Sequence, residues 1–482
     1  MGADIPLERT GDVTWRIPRH GDMRVDGLVF ASEDMMSGIR HDPCLEQVRN
    51  VACLPGIVGQ SMAMPDIHWG YGFPIGGVAA FDPEADGVVS PGGVGYDINC
   101  GVRLLRSNLS RADVEPRLEK LMDALFANVP SGVGSKGLKH LSENELRRVL
   151  ARGASWAVEN GFGDAADVAH IEEGGALPGA DPEAVSARAM ERGRLQLGSL
   201  GSGNHFLEVD VVDEIFDRGA AGAMGLFEQQ AVVLIHTGSR GLGHQTCEDH
   251  LETMLAASRR HHIALPDRQL ACAPLSSPEA KRYLAAMGAA VNFAFANRQM
   301  IAHRVREAFE AVMEKSWRSM DMRLVYDVAH NIAKMEEHAV EGRRRRLCVH
   351  RKGATRAFPP GHPGVPEAYR AVGQPVLIPG DMGRYSFVLA GTQGSFEKTF
   401  GSTCHGAGRL MSRHQAKKTA WGRRIFDEMR RRGVILRAES AATVAEEIPE
   451  AYKDVAGVVD AVVAAGLSRK VARLRPIGVA KG

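Results

Sequence analysis

The chain has 482 residues, 44% hydrophobic and 24% charged, with 54 glycines. That length suits one large elaborated domain or a few smaller ones, each able to bury a substantial core, and the balance is that of an ordinary soluble globular protein. A net charge of +1 and a pI near 7.7 exclude a globally basic nucleic-acid coat and leave a local basic groove open.

Residues 1–60 mix charge with short apolar runs, and Pro55-Gly56 marks a turn before Met62-Ala63-Met64-Pro65-Asp66-Ile67-His68. His68 reads as a satisfied loop histidine, with a ligand role as the alternative. Gly76–Phe81 and Gly87–Ser90 have the composition of two short strands, which deliver the glycine-rich loop Gly92–Arg103. Asp97 and Cys100 stand three residues apart in that loop. Glycine permits the close backbone approaches that aim two such side chains into one cavity. Alone, the pair fits a metal-binding loop and a turn with a buried structural cysteine equally well.

Arg111–Phe126 has amphipathic helical spacing. Residues 130–136 form a Gly-Ser loop able to touch an anion, but no Gly-x-x-x-x-Gly-Lys-Ser/Thr occurs, so it is not a P-loop. Residues 143–200 are helical in places, interrupted by a Gly-, Pro- and Asp-rich surface loop over 162–182. The glycine loop Gly198–Gly203 then passes through Asn204 and His205 into a strand, Phe206–Val212, that carries Glu208. A second strand, Ala231–Ile235, ends in His236-Thr237-Gly238-Ser239-Arg240-Gly241. Pro278–Ser316 has the spacing of one or two packed helices. A third strand, Arg323–Val328, ends in Ala329-His330-Asn331, and Arg343–Arg346 reads as a solvated turn or a phosphate contact. His350–Arg356 is dense in cations, and Arg409–Arg437 is a basic helical tail.

Seven cysteines form no Cys-x-x-Cys pair, and their odd number leaves at least one thiol unpaired, which favours a reducing cytosol. No signal-like segment opens the chain and no run approaches the roughly 18 apolar residues of a membrane span. A cytoplasmic location is therefore expected. Neither internal repeat, low-complexity region nor clear linker is present.

Asp97, Cys100, His205, His236 and His330 together supply carboxylate, thiolate and imidazole, a mixture that suits Zn²⁺, Mn²⁺, Fe²⁺ or Co²⁺ without choosing among them. Cys404-His405-Gly406-Ala407-Gly408-Arg409 exposes one imidazole beside a guanidinium. A neutral imidazole is a competent nucleophile toward phosphorus; a sixth metal ligand or a hydrogen-bonded loop histidine are the other readings of His405. The Lys-x-Asp-Gly motif of ordinary nucleotidyl-transferring ligases is absent.

These motifs resemble the RtcB family of GTP-dependent RNA-splicing ligases nearly end to end. The likeness runs through Gly-Tyr-Asp-Ile-Asn-Cys-Gly at 95–101, Gly-Ser-Gly-Asn-His-Phe at 201–206, His-Thr-Gly-Ser-Arg-Gly at 236–241 and Asp-Val-Ala-His-Asn at 327–331. It continues in His-Arg-Lys-Gly-Ala-Thr-Arg at 350–356, Cys-His-Gly-Ala-Gly-Arg at 404–409 and the terminal Gly-Val-Ala-Lys-Gly.

The resemblance implies a single α+β domain over 1–482, with mixed β-sheets surrounded by helices and a central metal cleft. It implies two Mn²⁺ ions on Asp97, Cys100, His205, His236 and His330, with Cys100 bridging, and GTP attacked by His405. Asn204, Asn331 and Arg409 match positions near the nucleotide phosphates, while Phe206, Glu208, Ser386, Tyr452 and Lys481 match the guanine pocket. Asp381 stands where the family carries serine, which places a carboxylate near the nucleotide. Arg240, and more weakly Arg351, Lys352 and Arg356, are candidates to hold RNA phosphates. The implied activity joins RNA 3′-phosphate or 2′,3′-cyclic phosphate ends to 5′-hydroxyl ends in tRNA splicing or RNA repair, with archease as an activating partner. A metal-dependent cyclic phosphodiesterase or phosphatase, needing no reactive His405, and a non-catalytic RNA-binding subunit are the competing classes.

Overall fold

The segment expected to hold one or two helices forms one, Pro278–Met313, 36 residues long. Ser277 caps it by accepting from the Ala280 amide, Pro278 occupies a first-turn position whose N–H would be unpaired anyway, and Glu314 ends it with a left-handed φ of 57°. Its middle is buried on every side from Ala286 to Ala302, and the polar residues within it, Asn292, Asn297, Arg298 and Gln299, are hydrogen-bonded to the surrounding fold. The computed structural model describes residues 5–132, 134–137 and 139–482; Val133, within the loop expected at 130–136, lies outside them.

Two large sheets pack with this helix in a mixed α+β fold. One places, in order among the described residues, Arg323–Ala329, Gly101–Arg106, Ala231–Thr237, Phe206–Ile215, Ser468–Lys481, Ser386–Gly391 and Pro375–Ile378, with Ile435–Ala438 parallel to Ser468–Lys481. The period of two in a strand sends Leu105, Val233 and Ile235 into the core shared with the long helix, while Leu104, Val232 and Leu234 face a second core beneath Leu377 and Val388. Full burial of each such side chain contributes about 1.5–3 kcal/mol.

The other sheet runs Glu8–Arg9, Thr14–Ile17, Gly27–Phe30, Ile57–His68, Ile75–Phe81, Arg343–Lys352 and Asn331–Val340. The two sheets meet in sequence at His330, which follows a strand of one and precedes a strand of the other.

Some sequence expectations are redrawn. The helix over 111–126 is broken, with Arg111–Val114 and Leu118–Asn128 separated at Pro116, whose missing N–H and ring interrupt the ladder. Arg343–Arg346 belong to a strand rather than a turn; the turn lies just before, at Glu341 and Gly342, both with positive φ. The basic tail holds two short helices, Arg413–Thr419 and Ile425–Arg431, followed by the strand Ile435–Ala438. All seven cysteines are free, and among the described residues no helix is long and apolar enough to cross a membrane.

Candidate active site

Four neighbouring strands bring the sulfur and the three imidazoles to one end of their sheet. Gly101 is opposite both Ala329 and Thr237, and His236 is opposite Val102 and Phe206. Cys100 and His205 immediately precede two of these strands, His330 follows a third, and His236 lies near the end of the fourth. Asp97 joins them from the loop before Gly101, and Gly238, just after the strand Ala231–Thr237, makes room for it: a Cβ there would lie 2.5 Å from Asp97 Oδ1.

His236 Nε2 is 3.3 Å from both Cys100 Sγ and His330 Nε2. Cys100 Sγ is 3.5 Å from His205 Nε2, which is 2.8 Å from Asp97 Oδ2. The donors form two groups, Cys100/His236/His330 and Asp97/Cys100/His205, each with its ligand atoms within 4.8 Å of one another, and Cys100 belongs to both. Bonds of about 2.0–2.3 Å at a tetrahedral angle leave ligand atoms roughly 3.3–3.8 Å apart; the separations around Cys100 and His236 fit a metal ion, while His205 and Asp97 stand closer, at hydrogen-bond distance.

The protonation states agree. Burial takes the His236 and His330 rings well below the usual imidazole range, so both are neutral, and neither Nδ1 has a protein partner. His205 Nδ1 lies 3.1 Å from the Leu200 carbonyl, and its Nε2 faces Asp97 and Cys100. Burial alone would raise the Asp97 carboxyl, yet His205, Cys100 and Arg240 hold it at about 2. Burial and Asp97 push the Cys100 thiol well up, an effect a coordinated cation reverses by stabilising the thiolate. Converging lone pairs and an anion in a buried site are what a divalent cation satisfies.

These groups line a cavity of about 400 Å³ that also holds His405, Glu208, Asn204, Asn331 and Lys481. His405 is 5.0 Å from His330 between ring centroids, and its Nδ1 lies 2.5 Å from Asp66 Oδ2. The same carboxylate oxygen accepts from the His405 and Gly406 amides at 2.9 and 3.2 Å. Burial would raise the Asp66 carboxyl, but His405 holds it below the usual range. Lys453 fixes the Asp66 segment by donating to the Pro65 and Ile67 carbonyls. Gly408, at φ 73°, comes so close to that strand that a Cβ would lie 2.3 Å from the Asp66 carbonyl. Sequence reasoning missed Asp66; it sits inside Ile57–His68, without a glycine turn or nearby histidine pair to single it out. His68 lines the cavity outside both ligand groups, its Nδ1 against the Asp66 carbonyl, and burial lowers it to about 4.

At the same cavity, Phe206, Glu208, Tyr452 and Lys481 come together, with Lys481 Nζ 5.6 Å above the Phe206 ring. Burial and Asp210 drive the Glu208 carboxyl upward against the opposing pull of Lys481. Arg409 also lines the cavity, held by Glu447 and the Tyr452 hydroxyl at 3.1 Å each. Asn331 clasps the metal-ligand loop, donating to the Asp97 carbonyl at 3.1 Å and accepting from the Gly353 amide at 2.8 Å. Ser386 does not reach the lining; its buried Oγ accepts from the amide of Gly380, which does. Asp381 lines the cavity, but its charge is compensated by Arg384 Nε at 2.7 Å and the Gly383 amide at 3.0 Å. Arg384 is the partner that makes the departure from serine tolerable.

The downstream cation cluster is corrected. Arg351 is 0% exposed and makes a bidentate pair with Glu336 at 2.7 Å per bond. Arg356 is buried against Glu172 and Glu173. Neither presents a free cation to RNA, because each neutralises a buried carboxylate inside the fold. Lys352 does line the cavity, but its ammonium donates to the carbonyls of Tyr71, Phe73 and Gly92, and burial lowers it to about 7. Arg240 begins the helix Arg240–Arg260 at φ 54°, half-buried beside Ser199.

The fold and this cleft define an α+β protein with a candidate metal-dependent catalytic centre. Comparison with known sequences gives the particular lineage: the chain belongs to the RtcB family, whose family model, described as tRNA-splicing ligase RtcB, matches residues 47–482. A tRNA-splicing ligase RtcB of Thermococcus kodakarensis is 57% identical over 479 residues, 99% of each chain. One of Archaeoglobus fulgidus is 56% identical over 484 residues, the full length of both. An RNA-splicing ligase RtcB of Mycobacterium tuberculosis is 55% identical over 438 residues, 90% of this chain and 100% of its own.

Proposed function

We propose that the chain, acting as one domain over 1–482, is a cytoplasmic RNA ligase that uses GTP and Mn²⁺. It joins RNA 3′-phosphate or 2′,3′-cyclic phosphate ends to 5′-hydroxyl ends in tRNA splicing or RNA repair, with archease as an activating partner. The observation that carries the reading is the His405–Asp66 pair, at 2.5 Å, in the same cavity as the two donor groups that share Cys100.

Asp97, Cys100 and His205 would hold one ion, and Cys100, His236 and His330 the other. Bound Mn²⁺ supplies Lewis-acid stabilisation of charge on phosphate oxygens. Asp66 keeps the His405 proton on Nδ1 and the lone pair on Nε2. Nε2 attacks the α-phosphorus of GTP; the N–P bond forms as the α–β phosphoanhydride bond breaks and pyrophosphate leaves. The imidazolium charge is matched by Asp66.

An oxygen of the RNA 3′-phosphate next takes GMP from His405, breaking the N–P bond and returning the ring to neutrality. The 5′-hydroxyl oxygen then attacks the 3′-phosphorus and gives up its proton to solvent as the phosphoanhydride bond to GMP breaks; GMP departs and a 3′,5′ phosphodiester remains. Water first opens a cyclic end. Glu208 accepts from guanine N1–H and the exocyclic amine, a pair of donors that adenine lacks on that edge. Phe206, Tyr452 and Lys481 surround the base, with Asp381 in the wall and Ser386 behind it, holding Gly380. Asn204, Asn331 and Arg409 face the nucleotide phosphates, and Arg240 meets those of RNA.

Incubation with α-labelled GTP and Mn²⁺ tests the reading. An acid-labile, base-stable protein adduct is expected, and it should vanish in His405→Ala. No adduct from metal-loaded protein would end the ligase mechanism, and labelling that survives His405→Ala would displace the nucleophile.

A further inference from the structure

Tyr71 and Tyr96 line the cavity and take no part in the chemistry above. Their rings pack edge to face with centroids 5.4 Å apart, and Tyr96 lies 4.8 Å from the exposed His244 ring at an interplanar angle of 30°. Both tyrosines are half-buried, so each keeps surface open to a ligand. Tyr96 immediately precedes the candidate metal ligand Asp97. Tyr96, Asp97 and Cys100 line the same cavity, so a base on the Tyr96 ring and a phosphate at the donor cluster share one enclosed space.

The turn that carries Tyr71 also carries an exposed indole and is pinned at several points. Trp69 is 58% exposed, directly after His68 of the lining. Its neighbour Gly70 is clamped in both directions by Gln47, which donates to its carbonyl at 2.6 Å and accepts from its amide at 3.0 Å. Gln269 accepts from the Gly72 amide at 2.9 Å, and Lys352 donates to the Tyr71 carbonyl. A large exposed indole on a turn so fixed loses little freedom when something stacks on it. Arg268, exposed beside Gln269, makes no ion pair among the described residues and offers a cation for a phosphate.

We propose that Tyr96 and Tyr71, extended by Trp69 and with Arg268 at the phosphates, form a stacking subsite for the terminal nucleobases of a single-stranded RNA end. Every base has a π-face, so stacking holds an end of any sequence while its terminal phosphate or hydroxyl reaches the metal-ligand cluster. The subsite rests on the RNA-ligase reading for its ligand.

Two oligoribonucleotides separate the two strands: one carries 2-aminopurine at a 3′-phosphate end, the other at a 5′-hydroxyl end. Stacking quenches this fluorophore, so the full-length protein should quench at least one probe, which names the strand that occupies the subsite. Tyr96→Leu should relieve that quenching and raise KM for that strand about tenfold, the scale of one stacked base, with kcat changed less than threefold; Tyr96→Phe should keep both near the parent. Trp69→Ala, an exposed change with little bearing on folding, should raise the same KM independently. Quenching of neither probe, or equal losses in Tyr96→Leu and Tyr96→Phe, would overturn the subsite. So would a loss of GTP-adduct formation in Tyr96→Leu as large as its loss of ligation. Because quenching is read without ligation, absence of the adduct in the parent defeats the ligase reading and leaves the subsite to be judged on fluorescence alone.

Discussion

Asp66→Asn preserves the side chain's shape and removes the charge facing His405. In the structure Asp66 Oδ2 serves His405 Nδ1 at 2.5 Å and two backbone amides, while Oδ1 has no partner. An asparagine oxygen in the Oδ2 position keeps the two amide hydrogen bonds and a neutral acceptor beside His405 Nδ1. What disappears is the anion beside the imidazolium that forms during attack. Charge centres roughly 4 Å apart at an effective dielectric near 20 interact by about 4 kcal/mol; this is about a thousandfold in rate. The buried amide nitrogen left at the Oδ1 position costs a further 1–3 kcal/mol of stability, by the usual price of an unmade bond, about one helix cap's worth or more. The assay is single-turnover adduct formation with α-labelled GTP at saturating nucleotide and Mn²⁺, alongside a melting curve and metal content. A rate within fivefold of the parent, in a folded and metal-loaded variant, would refute the role given to Asp66.

Cys100→Ala should lower bound metal by elemental analysis and abolish ligation, since the sulfur is common to both donor groups; near-normal turnover would count against a shared ligand. Asp381→Ser should change GTP affinity less than threefold, measured by competition in adduct formation, because Arg384 already neutralises the carboxylate. It should cost about 1 kcal/mol of stability by loss of a partly exposed ion pair, and a larger gain in GTP affinity would mean that Asp381 repels the nucleotide. Burial alone would raise the Asp167 carboxyl, yet Arg306 and Gln299 hold it at about 2 against an ordinary 3.8. A depressed pKa makes its stabilisation, roughly 2 kcal/mol, complete above about pH 4 and lost as pH falls toward 2. Denaturant titrations should therefore show a steeper acid loss in the parent than in Asp167→Asn, and parallel curves would refute the assignment.

The clustering of Asp97, Cys100 and the three histidines was legible because each histidine stands at a strand boundary, His205 and His236 beside glycines as well, where sequence reveals the element and its end. Asp66 was not legible. Its partner His405 is 339 residues away, and only the packing of the Cys404–Arg409 loop on Ile57–His68 brings them together. The cations at 351 and 356 misled for a related reason: a guanidinium in sequence looks the same whether it faces solvent or a buried carboxylate, and Glu336, on the neighbouring strand, and Glu172, on a distant turn, become partners only in the folded chain. Asp381 and Arg384 are close in sequence, but they meet only because the chain turns between them, outside any helix.

The long helix explains why the donor geometry is held so closely. Arg298 projects from its buried middle and donates to the Asn99 and Thr237 carbonyls at 2.9 and 2.8 Å, and to Asn99 Oδ1 at 3.0 Å. Asn99 adjoins Cys100 and carries a strained φ of 50°, while Thr237 adjoins His236. One guanidinium thus ties together the two chain segments that set the 3.3 Å separation of Cys100 Sγ and His236 Nε2. Asp327 anchors Arg298 and Arg103 together, all three fully buried. Removing such charges from water costs several kcal/mol per ion, and a buried pair often does no better for stability than packed hydrophobic groups. The network's distinct contribution is positional: it fixes two backbone carbonyls in directions that apolar packing does not specify, and the sulfur and imidazole beside them inherit that precision.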